Sequence, residues 1–167
     1  MYPERTDFRR ILEVLTTGKV DFIVIGGVAA IAHGGATSTY DVDVVYARDR
    51  TNIHRLVTTL EPYKPYLRGA PPGLPFRWDE KTVRMSLNFT LLTTLGHLDV
   101  LGEVAGGGGY QTLLPHSESI QIFGLECRCV NLEHLIVLKR AAGRPKDLLA
   151  AGELEALLEE RNKRKKQ

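Results

Sequence analysis

Apolar residues recur along this chain at two different spacings, and the switches between them outline its elements. In TDFRRILEVLTTGKV, Phe8, Ile11, Leu12 and Leu15 recur at helical spacing. Thr6 or Asp7 supplies the N-cap and Gly18 stops the run, which predicts a first helix. The β-branched stretch DFIVIGG (21–27) predicts a short buried strand, and VAAIAHGG a compact helix ended by Gly34 and Gly35. TYDVDVVYA (39–47) alternates polar and apolar residues and predicts a second strand. DRTNIHRLVTTL (49–60) then predicts a helix capped by Asp49.

Residues 61–81 carry five prolines, two glycines and no period, so a long loop is expected there, of a length that suggests function or mobility. MSLNFTLL and GHLDVLGEV predict two antiparallel strands turning near Thr94-Leu95-Gly96. The glycine run at 106–109 predicts a flexible connection, and SIQIFGLECRCV a further extended pair turning at Gly124. NLEHLIVLKRAAG predicts a helix from an Asn131 cap to Gly143, and Pro145 suits the first turn of a last helix reaching about residue 161. No repeat or second core is apparent. The order of elements predicts a single α+β domain over residues 1–160, built on a mixed β-sheet flanked by helices, followed by a basic C-terminal tail at 161–167.

Composition changes this picture little. With 43% hydrophobic and 25% charged residues, the 167-residue chain is not disordered, and its length suffices to bury roughly two-thirds of its unfolded surface. No apolar run approaches a membrane span and residues 1–20 lack a signal-peptide layout, so the cytoplasm is the expected location. Cys127 and Cys129 share a face of one expected strand and are read as buried free thiols. Charge matters more. Residues 161–167 hold five of the 22 basic residues and no acidic one, leaving 17 basic against 20 acidic, a net −3, for the rest. Only the tail offers a dense basic segment to a nucleic acid, and a solvated, frayed helix end is the favoured explanation of it.

The candidate chemistry lies in GGVAAIAHGGATSTYDVDVV. Strand alternation puts Thr39, Asp41 and Asp43 on one face, with the two carboxylates about 6–7 Å apart at the backbone. Such a pair repels itself, and a divalent cation such as Mg²⁺, which prefers carboxylate and phosphate oxygens, removes the conflict. Gly26 and Gly27 stand where a strand feeds a helix, so that backbone approaches a ligand without a side chain intervening and the helix aims free N–H groups at an anion. Metal and phosphate together describe a nucleoside triphosphate site. The plain alternative is a tight turn and two surface aspartates; the order and spacing favour the site.

IGG followed by thirteen residues and then DVDV resembles the signature of the nucleotidyltransferase superfamily that includes DNA polymerase β: an apolar residue, Gly-Gly or Gly-Ser, a short interval, then Asp-apolar-Asp/Glu-apolar. That superfamily adds a third carboxylate on a later strand, and Asp99 in GHLDVLGEV holds the matching position, between Leu98 and Val100. More narrowly, the chain is similar to small stand-alone bacterial nucleotidyltransferase-like proteins, some of them toxins of toxin–antitoxin pairs. Those often carry an Arg four residues before the first Asp, where this chain has Thr37. They also often carry a helix Lys followed by an Arg and an Asp, for which VLKRAAGRPKD offers Lys139, Arg144, Lys146 and Asp147.

The resemblance implies that Asp41, Asp43 and Asp99 bind Mg²⁺ or Mn²⁺ and are catalytic, Asp99 orienting or deprotonating the attacking hydroxyl. It implies nucleotide contacts from Gly26, Gly27, Thr39, Lys139 and Lys146, an NTP substrate such as ATP, and an acceptor that is RNA, protein or a small molecule. An antitoxin is an expected partner if the toxin resemblance holds. His97 is expected on the face of Asp99, while His33 reads as a satisfied helix-end residue and Tyr110 as core. Trp78 is open between a lid and a buried role. Two other classes compete: a glycosyltransferase using a lone Asp-x-Asp, for which the chain is short, and a non-catalytic module that binds a nucleotide or partner on the same fold.

Overall fold

The computed structural model describes residues 2–167 and confirms an α+β domain with a mixed sheet. The elements run α1 (Phe8–Thr17), β1 (Phe22–Ile25), α2 (Gly26–Ala32), β2 (Asp41–Tyr46), α3 (Arg50–Leu60), β3 (Tyr66–Leu67), α4 (Glu80–Met85), β4 (Asn88–Thr93) and β5 (Gly96–Leu101). They continue through α5 (Tyr110–Leu113), β6 (Ser117–Ile122), β7 (Leu125–Val130), α6 (Leu132–Ala142) and α7 (Pro145–Lys165). The seven strands lie in the order β3-β4-β5-β2-β1-β7-β6. β2 pairs antiparallel with β1 and parallel with β5, and β1 pairs parallel with β7.

The caps follow the sequence. Asp7 rather than Thr6 closes α1, accepting a hydrogen bond from Arg10 N at 3.0 Å. Asp49 and Asn131 cap α3 and α6 in the same way. Gly143 ends α6 in the left-handed conformation (φ 71°), where its N–H still reaches Lys139 O, so the chain reverses at once into α7. The central strands β1, β2 and β5 carry the core: Ile23, Val24, Val42, Val44, Leu98 and Val100 are fully buried. Complete burial of Val42 and Val44 on either side of Asp43, and of Leu98 and Val100 on either side of Asp99, fixes which way β2 and β5 face.

Four expectations are corrected. Residues 61–81 are not one loop: they hold a 3-10 turn at Glu61–Tyr63, edge strand β3 and the start of α4. The glycine run is not a free connection, because Val104 bridges Gly108 and the run lies against α6 so closely that a Cβ on Gly106 would meet Ala141 at 2.8 Å. Strand β2 begins at Asp41, leaving Thr39 outside it. The last helix does not stop near 161 but continues to Lys165, its beginning of basic character tied down by Arg161, whose Nη2 donates to His33 O at 3.3 Å. No helix among the described residues is long and apolar enough to cross a membrane.

One buried polar side chain locks α3 to the strand ends. Asn52, 1% exposed, accepts from Asp21 N at 2.7 Å and donates to Asp21 O at 3.0 Å and to Ala47 O at 2.7 Å. Asn52→Ala removes all three bonds and strands buried backbone groups, so we expect a loss of about 2–3 kcal/mol in urea unfolding with no change in the m-value.

Candidate active site

β2 and β5 are parallel and in register, so Asp43 lies directly across from Asp99 and Asp41 across from His97. Alternation keeps Asp41 and Asp43 on one side of β2, and the pairing brings Asp99 to the same side. One carboxylate oxygen from each of the three residues lies within 4.8 Å of the others. His97 pairs with Asp41 but lines neither of the pockets described below.

The convergence has an electrostatic cost. Burial, and then the charges of Asp41 and Asp99, push the Asp43 carboxyl up to about 8. Burial also raises Asp99, against the opposing pull of the Arg68 guanidinium. Arg68 Nη2 lies 2.5 Å from Asp99 Oδ1 and 3.7 Å from Asp41 Oδ2. The donor set, three hard carboxylate oxygens converging on a rigid sheet, fits a divalent cation of the Mg²⁺ or Mn²⁺ type.

The glycines have a use beyond that expected of them. Gly26 has φ 69°, and a Cβ there would stand 2.1 Å from Asp43 Oδ2. At Gly27 a Cβ would meet Thr39 Cβ at 2.5 Å. Their bareness therefore first makes room for this chain's own site residues. Thr39, though outside the strand, donates through Oγ1 to Asp41 O at 3.1 Å and braces the first aspartate. Thr6 does the same at the strand ends, donating to Tyr40 O at 2.6 Å and accepting from His97 N at 3.0 Å.

The turn between α6 and α7 closes the site. Asp147, 2% exposed, accepts from Arg144 Nε at 2.6 Å and lies 3.8 Å from Lys139 Nζ. Burial alone would raise its carboxyl, but the Arg144 hydrogen bonds and charge, with Lys139, outweigh it and hold it below the ordinary value. This buried anion holds two cations beside the aspartates. The carboxylates sit between two pockets. One, of about 410 Å³, has Gly27, Thr37, Ser38, Thr39 and Lys146 in its wall. The other, of about 340 Å³, is lined by Asn88, Leu101, Glu103, Val104 and Leu135. Asp43, Asp99, Lys139, Arg144 and Asp147 border both.

All eight residues singled out in the sequence thus border this region: Asp41, Asp43, Asp99, Gly26, Gly27, Thr39, Lys139 and Lys146. Sequence reasoning missed Arg68, which directly follows a two-residue strand too short to show a period. It also left Arg144 and Asp147 outside the site, although Pro145 followed by an Asp at the third helical position is a legible helix start. Trp78 is no lid: its Nε1 donates to Val57 O at 3.2 Å and its ring meets Phe89 edge-on. His33 is buried with Nε2 2.7 Å from Val130 O. Cys127 and Cys129 are buried free thiols on β7.

No family model and no curated protein matches the sequence. Solved structures do match the fold. A lincomycin-bound lincosamide antibiotic adenylyltransferase, LnuA, is similar over 93% of this chain and 99% of its own, with a TM-score of 0.60 and 15% identity. The antibiotic-resistance factor ANT(2'')-Ia is similar over 94% and 90% (TM-score 0.52, 14% identity). An antigenic nucleotidyltransferase-like protein from Paracoccidioides brasiliensis is similar over 89% and 72% (TM-score 0.54, 16% identity). The fold is therefore nucleotidyltransferase-like, as the sequence resemblance implied.

The Asp43 shift sets a pH dependence. An aspartate raised in the folded chain binds its proton more tightly there than in the unfolded chain, so stability falls as pH rises from the unfolded value of about 3.9 through about 8. Asp43→Asn, uncharged throughout, should melt higher than wild type at about pH 9 in the presence of a chelator, with the difference closing toward about pH 4. Thermal melts across that range check it; a difference independent of pH would remove the repulsion account.

Proposed function

We propose that this protein transfers a nucleoside monophosphate from a nucleoside triphosphate to an acceptor hydroxyl. The observation that carries this reading is the convergence of Asp41, Asp43 and Asp99, the last two on the border between two pockets. Asp41, Asp43 and Asp99 would hold Mg²⁺ or Mn²⁺, which when bound supplies charge neutralisation at the reacting phosphate. The pocket of Thr39, Ser38 and Lys146 suits the triphosphate, with hydroxyls and a lysine in its wall and Lys139 and Arg144 at its border. These cations offset the charge that grows on the departing pyrophosphate. The acceptor oxygen bonds to the α-phosphorus as the bond to the bridging β-phosphate oxygen breaks, and its proton passes to the carboxylate of Asp99.

The second pocket flanks Asp99 and has the volume of a small-molecule site, with apolar walls and the polar groups of Asn88 and Glu103. That favours a small hydroxyl-bearing acceptor, in keeping with two structural neighbours described as an antibiotic adenylyltransferase and an antibiotic-resistance factor. An RNA acceptor is the second reading. It rests on the basic end of α7, where Lys163, Arg164 and Lys165 follow the anchored Arg161. The toxin role and an antitoxin partner rest on the sequence resemblance, and growth arrest on expression tests them. A module that binds nucleotide without transferring it would share the metal site but show no turnover.

Mg²⁺ or Mn²⁺ should raise the melting temperature, and Asp41→Asn should remove most of that rise. Transfer of label from NTP should stop with a chelator and fall by about two orders of magnitude or more in Asp41→Asn. Cation-dependent nucleotide binding without transfer to any acceptor offered would leave the non-catalytic reading.

Labelled NTP offered to total RNA, total protein and a panel of small hydroxyl compounds separates the acceptors. With RNA, replacing Lys163, Arg164, Lys165 and Lys166 by Gln should weaken binding and flatten its salt dependence. With a small acceptor the same variant should transfer at the wild-type rate.

A further inference from the structure

Among the described residues, Arg68 is the one basic side chain within ion-pair distance of Asp41 or Asp99. It arrives along a single row across the sheet. Arg68 N donates to Thr90 O at 2.9 Å, Thr90 pairs with Asp99, and Asp99 pairs with Asp43. The guanidinium reaches over Thr90 to Asp99, with its side chain 24% exposed and that of Asp99 14% exposed. Its Nη1 is buried and has no hydrogen-bond partner. The docked guanidinium is thus strongly bonded at one end and unsatisfied at the other.

These are the oxygens a divalent cation needs. A Mg²⁺–oxygen bond is about 2.0–2.1 Å long, so the ion would stand within a few ångströms of a guanidinium on the same carboxylate. The two cations repel, and Asp99 Oδ1 cannot serve both well. The backbone around Arg68 is pinned: its N–H is on the sheet, Tyr66 OH donates to Pro71 O and Leu74 O at 3.0 Å each, and Trp78 is anchored on Val57. The side chain, not the segment, is the part free to move.

We propose that Arg68 is a tethered competitor for the cation site: its guanidinium occupies Asp99 and Asp41, must rotate away for a divalent cation to bind, and so sets the affinity of the site. This rests on the cation assignment made above. If the competent rotamer is a minor population, apparent affinity is lowered by that fraction, and removing the side chain restores it.

The test is Mn²⁺ binding without nucleotide, followed by electron paramagnetic resonance of the free ion, in wild type, Arg68→Gln, Arg68→Ala, Lys146→Gln and Asp41→Asn. Both Arg68 variants should bind Mn²⁺ about tenfold more tightly than wild type. Lys146 lines the site but makes no ion pair with the carboxylates, so its variant reports loss of a nearby charge alone. Its effect should be smaller and should vanish at about 1 M salt, where the Arg68 effect persists. Arg68 variants that bind no more tightly than wild type, or no more tightly than Lys146→Gln at high salt, overturn the proposal. Mn²⁺ binding that Asp41→Asn leaves intact would instead overturn the cation assignment. In the wild-type protein, the Arg68 Nε–H resonance should shift on adding diamagnetic Mg²⁺. An unmoved resonance at saturating Mg²⁺ overturns the exchange without relying on any variant's folding.

Discussion

Asp41, Asp43 and Asp99 repel one another at a separation under 4.8 Å, and the rest of the fold has to hold them there. Their strands supply the force. Each aspartate alternates with fully buried aliphatic residues, Val42 and Val44 on β2 and Leu98 and Val100 on β5. Turning a carboxylate away would expose its apolar neighbours, and slipping the β2–β5 register would separate Asp43 from Asp99. Burial of the aliphatic face thus sustains an arrangement that electrostatics alone would not form, and the raised carboxyl of Asp43 records the conflict.

Positive charge is delivered to this cluster from two directions, by different means. On one side Arg68 comes from the sheet edge and bonds the carboxylates directly. On the other, Lys139 and Arg144 are held back from them by Asp147, a buried anion that both cations share. Asp147 holds both cations in place with a single negative charge, so they border the two pockets and keep a net positive charge there. One flank therefore carries a cation in contact, and the other a braced cationic wall suited to phosphate.

The glycine pair links these features. Gly26 leaves space for the Asp43 carboxylate and Gly27 for Thr39, whose hydroxyl in turn steadies Asp41. A motif that reads as a ligand cradle is also an internal clearance, and both uses need the same absence of Cβ. The same region distinguishes this chain within the resemblance. Thr37 stands in the pocket wall where an arginine is often found, so cationic character there comes from Lys146 and from the α6–α7 turn.

Much of this was legible along the chain, because local periodicity carries it. A period of two placed Asp41 and Asp43 together on one face of β2, helical spacing and caps located α1, α3 and α6, and the glycine pair with two spaced aspartates pointed to the site and the fold. The failures share a cause. β3 has two residues and no period, so Arg68 could be placed only by the pairing of β3 with β4 and β4 with β5, contacts between residues far apart in sequence. Asp147 stood in the sequence only as part of a Lys, Arg and Asp pattern, and its burial came from α6 and α7 folding against each other. The sequence by itself determined which residues point the same way within an element. Which elements lie side by side, and hence that an arginine from a proline-rich stretch meets the third aspartate, was decided by the tertiary structure, since strand pairing and burial are properties of neighbours in space.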